Sequence, residues 1–209
     1  MNRKKDAALE AYGEYFTNRT ADDIRREYDE QRDEWRPCGA PRMRRCDQND
    51  LPRLTEFYRR VADASQYSRW AFGLHPTEAM IADYVAQGAA FVEETDGGIA
   101  AALAVTPQQP PEYREVSWRC ALRDDEVAVV HLLAVDPRLQ GRGLATALMR
   151  EVLAQAKVDG KRAVRLDALA TNLPAHRLYE ALGFEKRGVF SWYAANTGQA
   201  DFYLYEYLL

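Results

Sequence analysis

The sequence predicts a mixed α/β domain: a mostly antiparallel sheet with one parallel strand pair, flanked by helices, behind an N-terminal helical extension. Three observations predict it. A continuous apolar run, Val127–Val135, stops at Asp136-Pro137 and gives way to a glycine-rich turn and an amphipathic helix from about Gly143 to Lys157. A second apolar run, Ala163–Leu169, follows that helix. The helix is therefore a crossover between neighbouring parallel strands. Elsewhere, apolar runs come in pairs that close on short turns, which is the pattern of antiparallel hairpins.

The chain has 209 residues, enough for one compact domain with an extension. Residues 1–40 are charged and helix-prone, with Leu9, Tyr12, Tyr15 and Phe16 at helical spacing and a second helix start at Thr20. They are read as the extension, and residues 41–209 as the main domain. Met43–Cys46 suits a short strand. Asn49 or Asp50 can cap a helix reaching Ala64, with Leu51, Leu54, Phe57, Tyr58 and Val61 along one side. An irregular aromatic stretch, Ser65–Pro76, leads to Thr77, which caps a helix running to Gln87. Ala89–Glu94 and Ile99–Thr106 form a hairpin around Asp96-Gly97-Gly98. Pro107–Arg114 reads as a loop, and Val116–Leu122 as an extra strand or an ordered loop segment. Beyond the crossover, a helix capped at Thr171 or Asn172 runs to Ala181, and Gly183 ends it. Phe184–Tyr193 and Asp201–Leu208 close the sheet around Asn196-Thr197-Gly198.

Composition excludes several classes. The formal net charge is −4, which disfavours a nucleic-acid partner, and the cluster Arg42, Arg44, Arg45 reads as solvated charge. No apolar run approaches the ~20 residues that span a bilayer, so no membrane is expected. Three cysteines, Cys38, Cys46 and Cys120, are widely spaced, without zinc-ligand spacing. No metal site is expected, and reduced thiols point to a cytoplasmic protein. A homodimer remains open.

Chemistry concentrates in Gln140-Gly141-Arg142-Gly143-Leu144-Ala145. A pyrophosphate needs converging N–H donors and a positive local potential, and a helix N-terminus supplies both. Glycine lets the backbone approach closely, and Arg142 adds a charge at the rim. Two glycines alone would mark only a turn. The segment resembles the phosphate loop Q/R-x-x-G-x-G/A of the GCN5-related N-acetyltransferase (GNAT) superfamily, which it fits at every defined position. Leu132-Leu133-Ala134-Val135-Asp136-Pro137 is similar to that family's fourth strand and exit turn. The stretch from Asn172 to Phe184, with Ala175, Leu178, Tyr179 and Gly183, resembles the second signature N-x-x-A-x-x-L-Y-x-x-x-G-F. The resemblance covers about residues 42 to 208.

The resemblance implies a sheet whose fourth and fifth strands splay apart at a bulge, with acetyl-CoA between them. It implies that the backbone around Leu133, Ala134 and Val135 pairs with the pantetheine arm. The amides of Gly141, Arg142, Gly143, Leu144, Ala145 and Thr146 would cradle the pyrophosphate, Asn172 would bond the cofactor arm, and Tyr179 would lie near the thioester sulfur as proton donor. Two candidates remain for the base. His131 occupies the place of a histidine that assists deprotonation in the aralkylamine acetyltransferases. Asp167 stands where ribosomal-protein alanine acetyltransferases carry a glutamate. Val129 stands where histone-type members carry theirs. His176 is read as exposed on its helix, and the aromatic loop with Tyr67, Trp70, Phe72 and His75 either as a loop packed by its own aromatics or as a border of the acceptor pocket. The expected activity is acetyl transfer from acetyl-CoA to a primary amine of a small molecule or peptide by direct attack. The competing readings are a non-catalytic acyl-CoA-binding module that docks a partner through residues 1–40, and an enzyme for a longer acyl donor.

Overall fold

A computed structural model describes residues 43–209; the expected helical extension, the boundary at residue 40 and Cys38 lie outside the described residues. The domain is a seven-stranded sheet in the order β1-β2-β3-β4-β5-β7-β6. In chain order the elements are β1 (Arg44–Arg45), α1 (Leu51–Ala64), α2 (Glu78–Ala86), β2 (Ala90–Thr95), β3 (Gly98–Thr106), β4 (Val127–Val135), α3 (Leu144–Val158), β5 (Ala163–Leu169), α4 (Leu173–Ala181), β6 (Glu185–Ala194) and β7 (Gly198–Leu208). Every neighbouring pair is antiparallel except β4 and β5. This is the predicted fold class, with the crossover helix α3 joining the parallel pair.

Local chemistry sets the helix starts. Asp47 caps the short 3-10 turn that leads into α1, and Thr77 accepts a hydrogen bond from the Met80 amide at 3.1 Å to cap α2. On one sheet face α1 and α2 bury Leu54, Phe57, Tyr58, Ile81 and Val85 against Val92, Ala102, Leu132 and Ala134. On the other face α3 buries Leu148, Met149 and Val152 against Leu103, Ala128, Val130, Val164 and Leu166. Each fully buried large side chain contributes about 1.5–3 kcal/mol.

Two details differ from the expectations, and a third decides between two alternatives. Arg44 is not simply solvated: its guanidinium bonds both Asp50 oxygens, at 2.7 and 2.8 Å, and Glu94 at 2.7 Å, which ties β1 to α1 and β2. β7 begins at Gly198, because its early residues pair with Ala194, Tyr193 and Trp192 of β6. Val116–Leu122 takes the second of its two expected forms, an ordered loop segment rather than an extra strand. Together with Pro107–Glu115 it forms a strap over the end of the sheet. The strap carries a 3-10 turn at Pro111–Glu115 and buries Tyr113 and Val116 against Val127, Val129 and Leu204.

Candidate active site

The middle of β4 is irregular. Its pairing with β3 passes from Ala104↔His131 to Ala102↔Ala134, so β4 carries one more residue than its partner there. Leu132 absorbs the excess with φ +53°, a value a side-chain-bearing residue rarely adopts. Its carbonyl accepts a buried hydrogen bond from the Tyr58 hydroxyl of α1 at 2.9 Å. The bulge also resets the alternation of side chains. Leu132 and Ala134 pack under α1 and α2, while Leu133 and Val135 join Ala128 and Val130 on the α3 side. Tyr58→Phe is expected to lower unfolding free energy by about 1–3 kcal/mol, read by denaturant titration, because the Leu132 carbonyl is then buried without a partner.

Beyond the bulge, β4 leaves its parallel neighbour. The two strands pair only from Val127↔Ala163 to Val129↔Arg165, whereas β5 runs on beside β7 as far as Leu169↔Phe202. A gap opens between β4 and β5. The Asp136 amide donates to Ala100 of β3 at 2.8 Å, so strand alternation turns the main-chain groups of Leu133 and Val135 towards that gap. The Val135 carbonyl receives only a long 3.4 Å contact from the Gln140 side chain.

At the end of the gap α3 begins. Its N-cap, Gly143, sits at φ +76° and makes no side-chain cap bond. The first intrahelical bond runs from the Ala147 amide to the Gly143 carbonyl, so Leu144, Ala145 and Thr146 offer uncapped N–H groups. Gly141, at φ +78°, turns the chain before them, and Arg142 is exposed at the rim. The expected phosphate-loop residues are thus gathered at one helix N-terminus. Two left-handed glycines, open amides and unpaired strand groups lining a gap suit an extended ligand with a pyrophosphate.

The polar groups collect where the strands diverge. Asp167 of β5 is half-buried, and its Oδ1 accepts a hydrogen bond from the Tyr113 hydroxyl of the strap at 2.8 Å. Burial pushes the Asp167 carboxyl above its ordinary range, against the opposing pull of that hydrogen bond. Tyr179 of α4 is 6% exposed, close enough for its hydroxyl to feel the Asp167 charge, and burial first and that charge second hold the phenol well above its usual value. His131 stacks on Tyr84 of α2 at 5.6 Å between centroids, and its Nε2 lies 2.9 Å from the Thr106 hydroxyl. Burial, with a smaller contribution from nearby His75, pushes the His131 imidazole down to about 4. The structure therefore brings Tyr179 and Asp167 together and places His131 and His75 within electrostatic reach of one another. Trp70 of the aromatic loop lies 6.0 Å from His75 and 6.1 Å from Tyr58.

One reading changes. His176 is not exposed: it is 6% exposed, stacked on Tyr203 at 4.6 Å, with its ring nitrogens next to the Ala170 carbonyl and the Tyr205 hydroxyl. Of the two caps expected for α4, Asn172 is the one found, its side-chain oxygen accepting from the Ala175 amide at 3.4 Å. Sequence reasoning missed Tyr84, Thr106 and Tyr113. Tyr84 and Thr106 sit inside regular elements, where nothing distinguishes them from packing residues. Tyr113 had one weak signal, a lone aromatic next to prolines in a polar loop.

Comparison with known proteins agrees with this architecture. Residues 51–184 match the model of the acetyltransferase (GNAT) family, and the chain belongs to that family. Membership of that family supports acetyl transfer with acetyl-CoA as the cofactor. Among curated relatives, an uncharacterized N-acetyltransferase of Methanocaldococcus jannaschii is 37% identical over 75 residues, 36% of this chain and 33% of that protein. The human N-acetylaspartate synthetase is 40% identical over 73 residues, 35% of this chain and 24% of that protein. The alignments thus span a third or less of these relatives' length. The fold is shared with a GNAT-family acetyltransferase of Streptococcus agalactiae, with TM-score 0.65 and 19% identity over 80% of this chain and 95% of that one. It is shared too with the yncA protein of Salmonella typhimurium, solved with its cofactor acetyl-CoA, with TM-score 0.59 and 20% identity over 82% of this chain and 95% of that one.

Proposed function

We propose that the chain is an N-acetyltransferase that moves the acetyl group of acetyl-CoA to a primary amine of a small molecule or peptide by direct attack. The observation that carries this reading is the group formed by Tyr113, Asp167 and Tyr179, where β4 and β5 part. The backbone of Leu133, Ala134 and Val135 would hold the pantetheine arm, and the amides of Gly141 to Thr146, with Arg142 at the rim, the pyrophosphate. Asn172, although its oxygen caps α4, keeps a side-chain amide that can donate to the arm. When bound, acetyl-CoA supplies an acetyl group activated as a thioester and a thiolate leaving group.

The chain's own residues handle two protons. An acceptor amine arrives as an ammonium and must lose one before it can attack. Asp167 suits that task, because burial makes its carboxylate more basic than an exposed aspartate. His131, pushed down to about 4, is a weaker base at neutral pH and bonds the Thr106 hydroxyl. Its ring, stacked on Tyr84, suits the wall of the acceptor pocket, and a water between it and the amine would still give it a share in deprotonation. Tyr179 stays protonated because its phenol is pushed up, so it can donate to the departing thiolate. A cysteine-borne acyl intermediate has little support, since burial pushes the Cys46 thiol up to about 12.

Acceptor chemistry differs widely among the relatives, which include a mycothiol acetyltransferase of Brachybacterium faecium. The test is therefore a screen of polyamines, aminoglycosides, amino acids and peptide N-termini with acetyl-CoA, read by free-thiol release and by product mass. With a productive acceptor, Tyr179→Phe should lower kcat about a hundredfold and leave KM for acetyl-CoA nearly unchanged. Unchanged turnover would remove the acid role. Calorimetric coenzyme A binding with no acetylated product from any acceptor class would favour the non-catalytic binding module.

A further inference from the structure

The strap between β3 and β4 is bonded to the sheet along its length, and several of the bonds converge on one buried ion pair. Arg165 of β5 and Glu206 of β7 face each other across the strands, each 1% exposed, with Arg165 Nε and Nη2 both on Glu206 Oε1 at 3.0 and 2.7 Å. Arg165 Nη2 also donates to the Cys120 carbonyl at 2.8 Å, and Nη1 to the Gln109 side chain. Glu206 Oε2 accepts from the Arg119 amide at 2.9 Å. The indole of Trp118 lies on the Arg165 guanidinium at 4.2 Å, and its Nε1 donates to the Tyr113 carbonyl at 2.8 Å. Both ends of the strap and the main chain of Tyr113 are thereby fixed relative to β5. Asp167 is two residues beyond Arg165 on that strand, on the same face. The Tyr113 hydroxyl therefore reaches Asp167 from a fixed backbone, and Tyr113 is 1% exposed.

We propose that Tyr113 is a positioning residue of the acetyl transfer: its hydroxyl holds Oδ1 of Asp167 and leaves Oδ2 to take the acceptor's proton. The proposal rests on the reading of Asp167 as the base. The bond does two things. It fixes the rotation of the Asp167 carboxylate. It also favours the charged form, offsetting part of the burial that disfavours it. Every element packed on Asp167 contributes a group to this balance. The strap brings Tyr113 and Glu112, α4 brings Tyr179, and α2 brings Tyr84, while β7 opposite contributes the apolar Leu204. Arg165, on the same strand, is committed to Glu206. Among these groups Tyr113 donates a hydrogen bond to the carboxylate, so removing its hydroxyl should raise the proton affinity of Asp167.

The experiment compares kcat/KM against pH for the full chain and for Tyr113→Phe with one acceptor, so that the acceptor's own ionisation cancels. The acidic limb should move to higher pH by about one unit, the size expected for losing a hydrogen bond to a charged group. Rates should converge at high pH, and the dissociation constant of coenzyme A should not change. A folded variant whose limb coincides with the parent, whatever its overall rate, overturns the proposal. If Tyr113→Phe fails to fold, Trp118→Phe frees the Tyr113 carbonyl while keeping an aromatic ring on Arg165. It should give a smaller shift of the same sign, and a coincident limb again overturns the proposal. Asp167→Asn separates the two failures. Full activity in that variant removes the base reading and the positioning role together, whereas an inactive Asp167→Asn beside an unshifted Tyr113→Phe removes the positioning role alone.

Discussion

Asp167→Asn is expected to lower kcat about a thousandfold at neutral pH, within the span usually lost with a general base. The substitution is nearly isosteric, and the amide oxygen can still accept from the Tyr113 hydroxyl, so the strap and the sheet should keep their places. Coenzyme A affinity should persist, because the groups proposed to hold the cofactor, the backbone of β4 and of the α3 N-terminus with Arg142 and Asn172, do not include Asp167. In the parent, kcat/KM should rise with pH as Asp167 loses its proton. Burial displaces that rise above the range of an ordinary aspartate. His131→Gln offers the contrast. A ring held near 4 is already neutral at pH 7, so its loss should cost less than tenfold and should not move the limb. If instead His131→Gln were crippled and Asp167→Asn active, the base would be His131, and the neutral ring bonded to Thr106 would be the group that takes the proton.

The sequence made the crossover legible because its signals are local. An apolar run, an Asp-Pro stop, two glycines and a helical stripe each depend on a few adjacent residues, and β4, α3, β5 and α4 appear within a residue or two of where they were expected. The phosphate-loop residues were legible for the same reason. What was hidden depends on partners distant in the chain. Nothing near Leu132 announces φ +53°; the value follows from the register with β3 and from the hydroxyl of Tyr58, 74 residues away. From the sequence His176 is read as exposed on its helix, yet Tyr203 and Tyr205 of the last strand pack against it. The strap was readable as a loop but not as part of the site, since its irregular backbone has no period and its order comes from Arg165 and Glu206. The expected candidates Asp167, His131 and Tyr179 thus stand on regular elements, whereas Tyr113 arrives on irregular chain.

That ion pair carries the largest expected effect on stability. Glu206→Gln should lower unfolding free energy by about 3–5 kcal/mol, because the Arg165 charge is then buried with no opposite charge beside it. Added salt should do little to the parent, since a pair 1% exposed is poorly screened. Arg165→Met combined with Glu206→Leu should recover much of the loss, as apolar pairs often replace buried ions at little cost. Recovery should be incomplete, because the Cys120 carbonyl and the Arg119 amide lose their partners. The double variant also separates folding from function. Its sheet should be restored, but the strap should no longer be fixed relative to β5, and Tyr113 should hold Asp167 less firmly. The acidic limb of kcat/KM should then move upward as in Tyr113→Phe, in a protein whose thermal unfolding is close to that of the parent. A double variant that regains both stability and the parental pH profile would show that the ion pair serves the fold alone.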